Sequence, residues 1–299
     1  MPAPRPYWTH EIFVSRAPLF GAILERAKAT AGEEARGIHR ILRAAGAPRR
    51  ARVLDIACGI GRHVVPLAQL GCRTVGSDFS PTYLAEARRY AEREHLRPEA
   101  AHFYRSDYRR IDRTLRAARE PPFDAAISIF TSMGHYGERG DLATLRAVRR
   151  VVRPGGLFLL EMGNRDWILA HYAPTGTMEG RDDLWIREAR RFDWETSTAR
   201  SDWTFYRGRG RSRRKLFEQE ILVRLYSLHE LKSLFERAGW EFVRSFGGLT
   251  DPRPIGPESR RLVVLGRRPV REVPRSRSGR ARSSSRPTRR ARGPGAPSG

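Results

Sequence analysis

The chain is short of cysteine, of lysine and of acid. Only two cysteines occur among 299 residues, Cys58 and Cys72, both in apolar surroundings. Two thiols make no disulfide framework, which argues against a disulfide-stapled secreted scaffold and for a reducing, cytoplasmic setting. Lysine is confined to Lys28, Lys215 and Lys232, so the 57 basic residues are almost all arginine. Codon composition and selection for bidentate phosphate contacts both produce that bias, and both readings stay open. Only 33 acids oppose the bases, leaving a net charge of +24. Codon bias exchanges lysine for arginine but creates no surplus of charge. No apolar run approaches the roughly 20 residues that span a bilayer, and the start "MPAPRPYWTHEIFVSRAPLF" has no signal-peptide h-region. A soluble protein outside the membrane is expected. A metal centre is not expected: the histidines are scattered, and His63 and His135 lack neighbouring ligands at metal spacing.

What the chain does have is an alternation of strand and helix patterns. "ARVLDIAC" reads as a buried strand and "RHVVPLAQLG" as a helix closed by Gly71. "CRTVGSDFS" is a second strand, and "PTYLAEARRYAEREH" a helix with Pro81 in its first turn. "AHFYRSDYRRI" and "FDAAISIFT" give strands three and four; "DLATLRAVRRVV", stopped by "RPGG", leads to strand five, "LFLLEMG". A helix "SLHELKSLFERAG" with Ser227 as its cap precedes two last strands, "WEFVRSFGG" and "SRRLVVLGRR". This order predicts a doubly wound, Rossmann-like α/β sheet of seven strands with an antiparallel last strand. Between strands five and six, aromatics and turn signals predict an inserted antiparallel ribbon over about residues 180–226. Residues 1–40 read as an N-terminal helical lid, 41–268 as the main domain, and 269–299 as a disordered Arg/Ser/Pro-rich tail. From Arg267 onward the chain has eleven arginines, one acid and almost nothing apolar, too little to offset ordering entropy.

The stretch "VLDIACGIGRH", Val53 to His63, carries the chemical signal. Backbone that approaches a ligand closely needs small side chains, and Ala57, Gly59 and Gly61 supply them at alternate positions. The loop opens a helix whose free N–H groups favour an anion. A P-loop is excluded because no Gly-Lys-Ser/Thr follows, and the dinucleotide fingerprint fails because the sixth position is Val64 or Arg62. Asp78, 23 positions beyond Asp55, closes the second strand where an acid accepts from both hydroxyls of a ribose. A ribose and a carboxylate-sized anion without a pyrophosphate signature match S-adenosylmethionine.

Taken in order, "VLDIACGIGRH", "VGSDFS", "SDYRRI", "FDAAISIF", "RPGGLFLLE" and "ELKSLFERAGW" resemble the successive motifs of class I S-adenosylmethionine-dependent methyltransferases over roughly residues 40–268. The "GRH" ending, "FTSMGHYG" and "NRDW" look like the branch that methylates small molecules; Ala57 departs from the glycine of many members. The resemblance implies S-adenosylmethionine as cofactor. It implies that Asp55 orients the loop and the methionyl ammonium, that Gly59 and Gly61 line the amino-acid tail, and that Asp78 holds the ribose. Phe79 would lie against adenine, Asp107 would accept from its amino group with Tyr108 beside it, and Ile129 and Phe130 would border the sulfonium. The bland readings stand alongside: Asp55 and Asp78 as helix caps, Asp107 as a loop acid near Arg109, Phe79 and Tyr108 as ordinary packing.

Because the cofactor brings an activated methyl group, the protein's task is alignment and exclusion of water. His135, on the loop after strand four, is the candidate base, with Tyr136 beside it in the acceptor pocket; a polar loop histidine without a catalytic part is the alternative. Asn164, Arg165 and Trp167 sit just past strand five, where such sheets bind ligands, and either face the acceptor or form a hinge for the insertion. Tyr7 and Trp8 either fold over the site as substrate contacts or pack against the sheet. A small-molecule N- or O-methyltransferase is expected. The alternatives are action on RNA or another nucleic acid, with the basic tail supplying phosphate affinity, and a non-catalytic binding protein of this fold. The sequence is silent on oligomeric state.

Overall fold

The computed structural model describes residues 7–270. The Arg/Ser/Pro-rich segment expected to be disordered lies outside the described residues from Arg271 onward.

The chain enters through a short helix α1 (Trp8–His10), a π-helical turn (Glu11–Ser15) and a long helix α2 (Ala17–Ala44). There follow β1 (Arg52–Ile56), α3 (Val64–Gln69), β2 (Arg73–Asp78), α4 (Pro81–Arg93) and β3 (Ala101–Arg105). A 3-10 turn (Tyr108–Arg110), α5 (Ile111–Ala117), β4 (Phe123–Ser128), α6 (Gly137–Val151), β5 (Val152–Gly163) and α7 (Arg165–Ala170) come next. Four strands form the insertion, β6 (Thr175–Glu179), β7 (Leu184–Asp193), β8 (Thr198–Arg207) and β9 (Arg214–Arg224). The chain then closes with α8 (Leu228–Arg237), β10 (Glu241–Phe246) and β11 (Arg261–Arg267).

The main sheet runs β10-β11-β5-β4-β1-β2-β3. β1 pairs in parallel with β2 and β4, whereas β11 lies antiparallel between β5 and β10. This is the seven-stranded, doubly wound arrangement with an antiparallel last strand that the motif order predicts. Successive side chains of a strand point to opposite faces, so strands covered on both sides must be apolar throughout. Leu54, Ala126, Phe158 and Leu160 face Val148, Phe235 and Trp240 on one side. Val53, Ile127, Leu157 and Leu159 face Ile38, Ile41 and Leu42 of α2 on the other. Ser227 caps α8 with a full capping box to Glu230, as its position suggests.

Three sequence expectations change. The insertion is a four-stranded antiparallel sheet in the order β6-β7-β8-β9, starting at Thr175 rather than near 180. Its first strand, "TGTME", is glycine-bearing and short, with little hydrophobic alternation to announce it. The helix before strand five starts earlier, at Gly137; it stops at Val151 just ahead of "RPGG", as expected, and that segment opens β5 with an irregular register. The boundary drawn at residue 40 falls inside α2, which spans both bodies. Its first half packs Phe20 and Ile23 beneath Leu184, Ile186, Phe205 and Ile221 of the inserted sheet, while its second half lies on the main sheet. In that second half Gly37 lets the helix close on the chain after β10, because a Cβ there would meet the Leu249 carbonyl oxygen at 1.8 Å.

Candidate active site

The carboxyl ends of β1, β2 and β4 converge on a cavity of about 290 Å³. Its floor is the loop after β1. Cys58 N–H donates to Ser77 O at 2.9 Å, and Gly61 N–H returns to Cys58 O at 3.0 Å, closing a tight turn. Ala57 takes φ 55°, Gly59 φ 53° and Gly61 φ 78°. The left-handed region costs an L-residue with a Cβ roughly 1–2 kcal/mol, so Ala57 is a strained member of this turn.

Asp78 ties that loop to the end of β2. Its Oδ2 accepts from Gly59 N–H at 2.9 Å and its Oδ1 from Ser80 N–H at 2.8 Å. Burial raises its carboxyl to about 6, against the lowering effect of those backbone donors. Asp55 is 3% exposed, and its Oδ2 has no hydrogen-bond partner. Desolvation, opposed by Arg62 and reinforced by Asp78, pushes it to about 8. On the same wall a buried Arg62 guanidinium nitrogen is also unpartnered. Uncompensated buried polar groups are costly and uncommon, and an open carboxyl oxygen beside an open guanidinium nitrogen matches the ammonium and carboxylate of an amino-acid tail.

Two ion-pair clusters hold the wall together, and neither was foreseen. Arg62 and His63 both reach Glu34 Oε2 of α2, at 2.6 and 2.7 Å. Those partners draw Glu34 down to about 2 although burial opposes them, while burial lowers His63 to about 4. Beyond β4 the chain makes two consecutive left-handed residues, Phe130 at φ 68° and Thr131 at φ 58°. Phe130 N–H donates to Glu161 Oε2 at 2.7 Å, and the other oxygen of Glu161 is held by Arg261 Nε. Arg62 lies 4.6 Å above the Phe130 ring. One signal for this cluster was legible: Glu161 is an acid inside the apolar run "LFLLEMG".

The opposite walls are apolar. Trp8, Phe13, Phe20 and Leu24 come from the N-terminal helices, and Met178, Trp203, Ile221 and Val223 from the inserted sheet. Phe20 and Trp203 stack at 5.5 Å. Arg224 N–H donates to Gly134 O at 2.8 Å and ties the inserted sheet to the loop that carries His135. His135 stacks on Phe13 at 5.9 Å and meets the edge of Trp8 at 5.0 Å. Desolvation in that aromatic setting lowers its imidazole to about 4, so it is neutral at physiological pH. Tyr136 shares the wall, its hydroxyl 3.1 Å from Thr9 Oγ1 and its ring 3.8 Å beneath the Arg109 guanidinium.

The cavity therefore gathers Asp55, Ala57, Gly59, Asp78, Phe79, Tyr108, Ile129, Phe130, His135, Tyr136 and Trp8 of the sequence candidates. Gly61 lies just beneath the floor, where a Cβ would stand 3.1 Å from Ala87 Cβ. Five candidates fall elsewhere. Asp107 turns to Arg109, two residues on in the same 3-10 turn, which takes both of its oxygens and also donates its backbone N–H. It lines a neighbouring recess that shares Phe79 with the main cavity. Asn164 caps α7 through Asp166 N–H and donates to Ser259 O at 2.7 Å. Arg165 binds Ser197 Oγ at 2.8 Å, and Trp167 is sandwiched between His171 and Arg260. Asn164 and Trp167 thus meet the segment just before β11, and Arg165 meets the turn between β7 and β8. Tyr7 is 48% exposed; it binds the His135 carbonyl and stacks on Tyr136 at 5.3 Å, outside the cavity.

A seven-stranded sheet of this order, with a glycine-turn cradle and paired acids at the ends of β1 and β2, is the fold of class I S-adenosylmethionine-dependent methyltransferases. In agreement, residues 53–156 match the family described as "Methyltransferase domain". A putative methyltransferase YqeM of Bacillus subtilis is 24% identical over 219 residues, covering 72% of this chain and 84% of that protein. A ubiquinone biosynthesis O-methyltransferase of Cereibacter sphaeroides is 32% identical over 115 residues, covering 38% of this chain and 42% of that protein. The chain thus spans under half the length of that second relative. A solved S-adenosylmethionine-dependent methyltransferase from Clostridium acetobutylicum superposes with a TM-score of 0.67 at 15% identity, covering 82% of this chain and 95% of that one, a likeness of fold alone. Residues 53–156 thus form a methyltransferase domain, and their cradle is of the kind that takes S-adenosylmethionine. Among the described residues no helix is long and apolar enough to cross a membrane, and no group of three or more ligating side chains stands at metal distance.

Proposed function

We propose that the protein methylates a small-molecule nitrogen or oxygen acceptor held in the apolar end of the cavity. The observation that carries this reading is the enclosure: one cavity joins the polar cradle to a chamber roofed by the inserted sheet and the N-terminal helices. A chamber so walled admits a small molecule more readily than a polymer. The O-methyltransferase name of the second relative points the same way.

The cofactor supplies an electrophilic methyl group. In this reading Asp55 receives the ammonium, Arg62 the carboxylate and Asp78 the ribose hydroxyls. Phe79 packs against the base, and Ile129 and Phe130 border the sulfonium. Tight fixing of the turn at Phe130–Thr131 by Glu161 sets where donor and acceptor meet, and alignment at near-attack distance supplies most of the rate. His135 is neutral, and so its imidazole is free to accept a proton from the acceptor. Tyr136 and Tyr7 hold the His135 loop in place.

The test is incubation of the full chain with isotope-labelled methyl donor and a cell metabolite extract, followed by mass spectrometry. Labelled small molecules are expected with the native protein and are expected to fall at least tenfold with His135→Ala, while affinity for S-adenosylhomocysteine is retained. Label found only on protein or RNA would sink the reading.

A further inference from the structure

The chamber's two halves differ in charge. Every charged side chain on the cavity wall belongs to the cradle: Asp55, Arg62, Asp78 and Arg261, with His63 neutral beside them. None of the wall residues contributed by the N-terminal helices or the inserted sheet carries a charge. They are apolar, four of them aromatic, and the Phe20–Trp203 pair is stacked with an interplanar angle of 14°. Two polar groups in that half are buried without a partner, the indole Nε1–H groups of Trp8 and Trp203, and that of Trp203 belongs to the stacked pair. A cationic amine brought into such a place loses its hydration and meets no carboxylate in return, which is costly. A flat neutral ring system loses little and gains stacking and apolar burial. An unpaired buried N–H favours a ligand oxygen in addition.

We infer that the acceptor is an uncharged, planar hydroxylated molecule of phenol type, whose body lies against Trp203 and Phe20 and whose second oxygen, a carbonyl or ether, accepts from the Trp203 indole N–H. This rests on the methyltransferase reading and narrows its acceptor. In the transfer the hydroxyl oxygen forms the new C–O bond as the methyl–sulfur bond breaks. The sulfonium becomes a neutral thioether, and the hydroxyl proton passes to His135 and from there to solvent. The methylated product is neutral, so no charge is stranded in the chamber.

The experiment uses the full chain saturated with S-adenosylhomocysteine and three probes on one bicyclic skeleton: 6-hydroxy-1-tetralone, 5,6,7,8-tetrahydro-2-naphthol and the tetralin-2-ylammonium ion. Binding is read by calorimetry. The hydroxytetralone is expected to bind best and the ammonium at least about tenfold more weakly than either phenol. Trp203→Phe keeps an aromatic face, though a smaller one, and removes the N–H. It is expected to weaken the ketone-bearing probe by roughly threefold to tenfold more than the naphthol, and to leave the S-adenosylhomocysteine affinity unchanged. Equal or tighter binding of the ammonium, no binding of any probe at millimolar concentration, or an equal loss for both phenols in Trp203→Phe would each overturn the inference while the cofactor reading survives. If S-adenosylhomocysteine itself does not bind, the underlying reading fails, and this inference with it.

Discussion

Asp55 is built into the fold at a cost, and that cost predicts an unusual mutant. Its carboxyl is fully enclosed, has an unpartnered oxygen, and titrates near 8 in the folded protein, against about 3.9 in an unfolded chain. A carboxyl whose folded value lies above its unfolded one destabilises progressively as pH rises from about 4 to 8. By linkage the penalty is about 1–2 kcal/mol at pH 5 and about 4 kcal/mol at pH 7. Asp55→Asn has nearly the same shape and never ionises. Whatever its fixed cost, its stability relative to the native protein should rise by about 2–3 kcal/mol between pH 5 and pH 7. The same change removes the carboxyl that a bound methionyl ammonium would hold in its ionised form, so affinity for S-adenosylhomocysteine should fall by about 10- to 100-fold. Urea denaturation at the two pH values, paired with calorimetric titration at pH 7, measures both effects. A variant whose relative stability does not change with pH would refute the buried-charge argument. Unchanged affinity would refute the role given to this carboxylate.

Three further outcomes follow from the same geometry. Glu161→Gln removes the charge that pairs with Arg261 and weakens the hold on Phe130 N–H; since Arg261 is 35% exposed, the loss should be about 2–3 kcal/mol, below that of a fully buried pair. Denaturation will measure it, and a loss under about 0.5 kcal/mol would show the turn is not held this way. Ala57→Gly removes a left-handed penalty at φ 55° and should leave the protein as stable or up to about 1 kcal/mol more stable, with cofactor affinity retained; clear destabilisation would contradict the turn's geometry. Gly37→Ala drives a methyl group into the Leu249 carbonyl and should cost about 3 kcal/mol or more, seen as a lowered melting temperature. A native-like melt would mean that α2 does not lie where it is described.

The order of the main sheet, the cradle loop and the acids at the ends of β1 and β2 were legible in the chain itself. They depend on local rules: apolar runs between turns, small residues where backbone meets ligand, and an acid at a strand end. Asp107 was legible as an acid after strand three, yet not its direction, because Arg109 competes for the same carboxylate. Asn164, Arg165 and Trp167 were correctly placed at the end of β5, but their side chains serve the capping and packing of α7. The acceptor chamber was the least visible part. Phe20, Met178, Trp203, Ile221 and Val223 come from segments far apart in sequence, and nothing local distinguishes them from other core residues.

The sequence by itself determined which sheet would form and which nucleoside its edge could cradle, because periodicity and turn chemistry act over a few residues. Only the tertiary structure decided the shape and charge of the acceptor end. That depends on α2 passing from one sheet to the other and on the inserted strands closing over it. Contacts between distant segments are set by packing, which no short stretch of sequence contains.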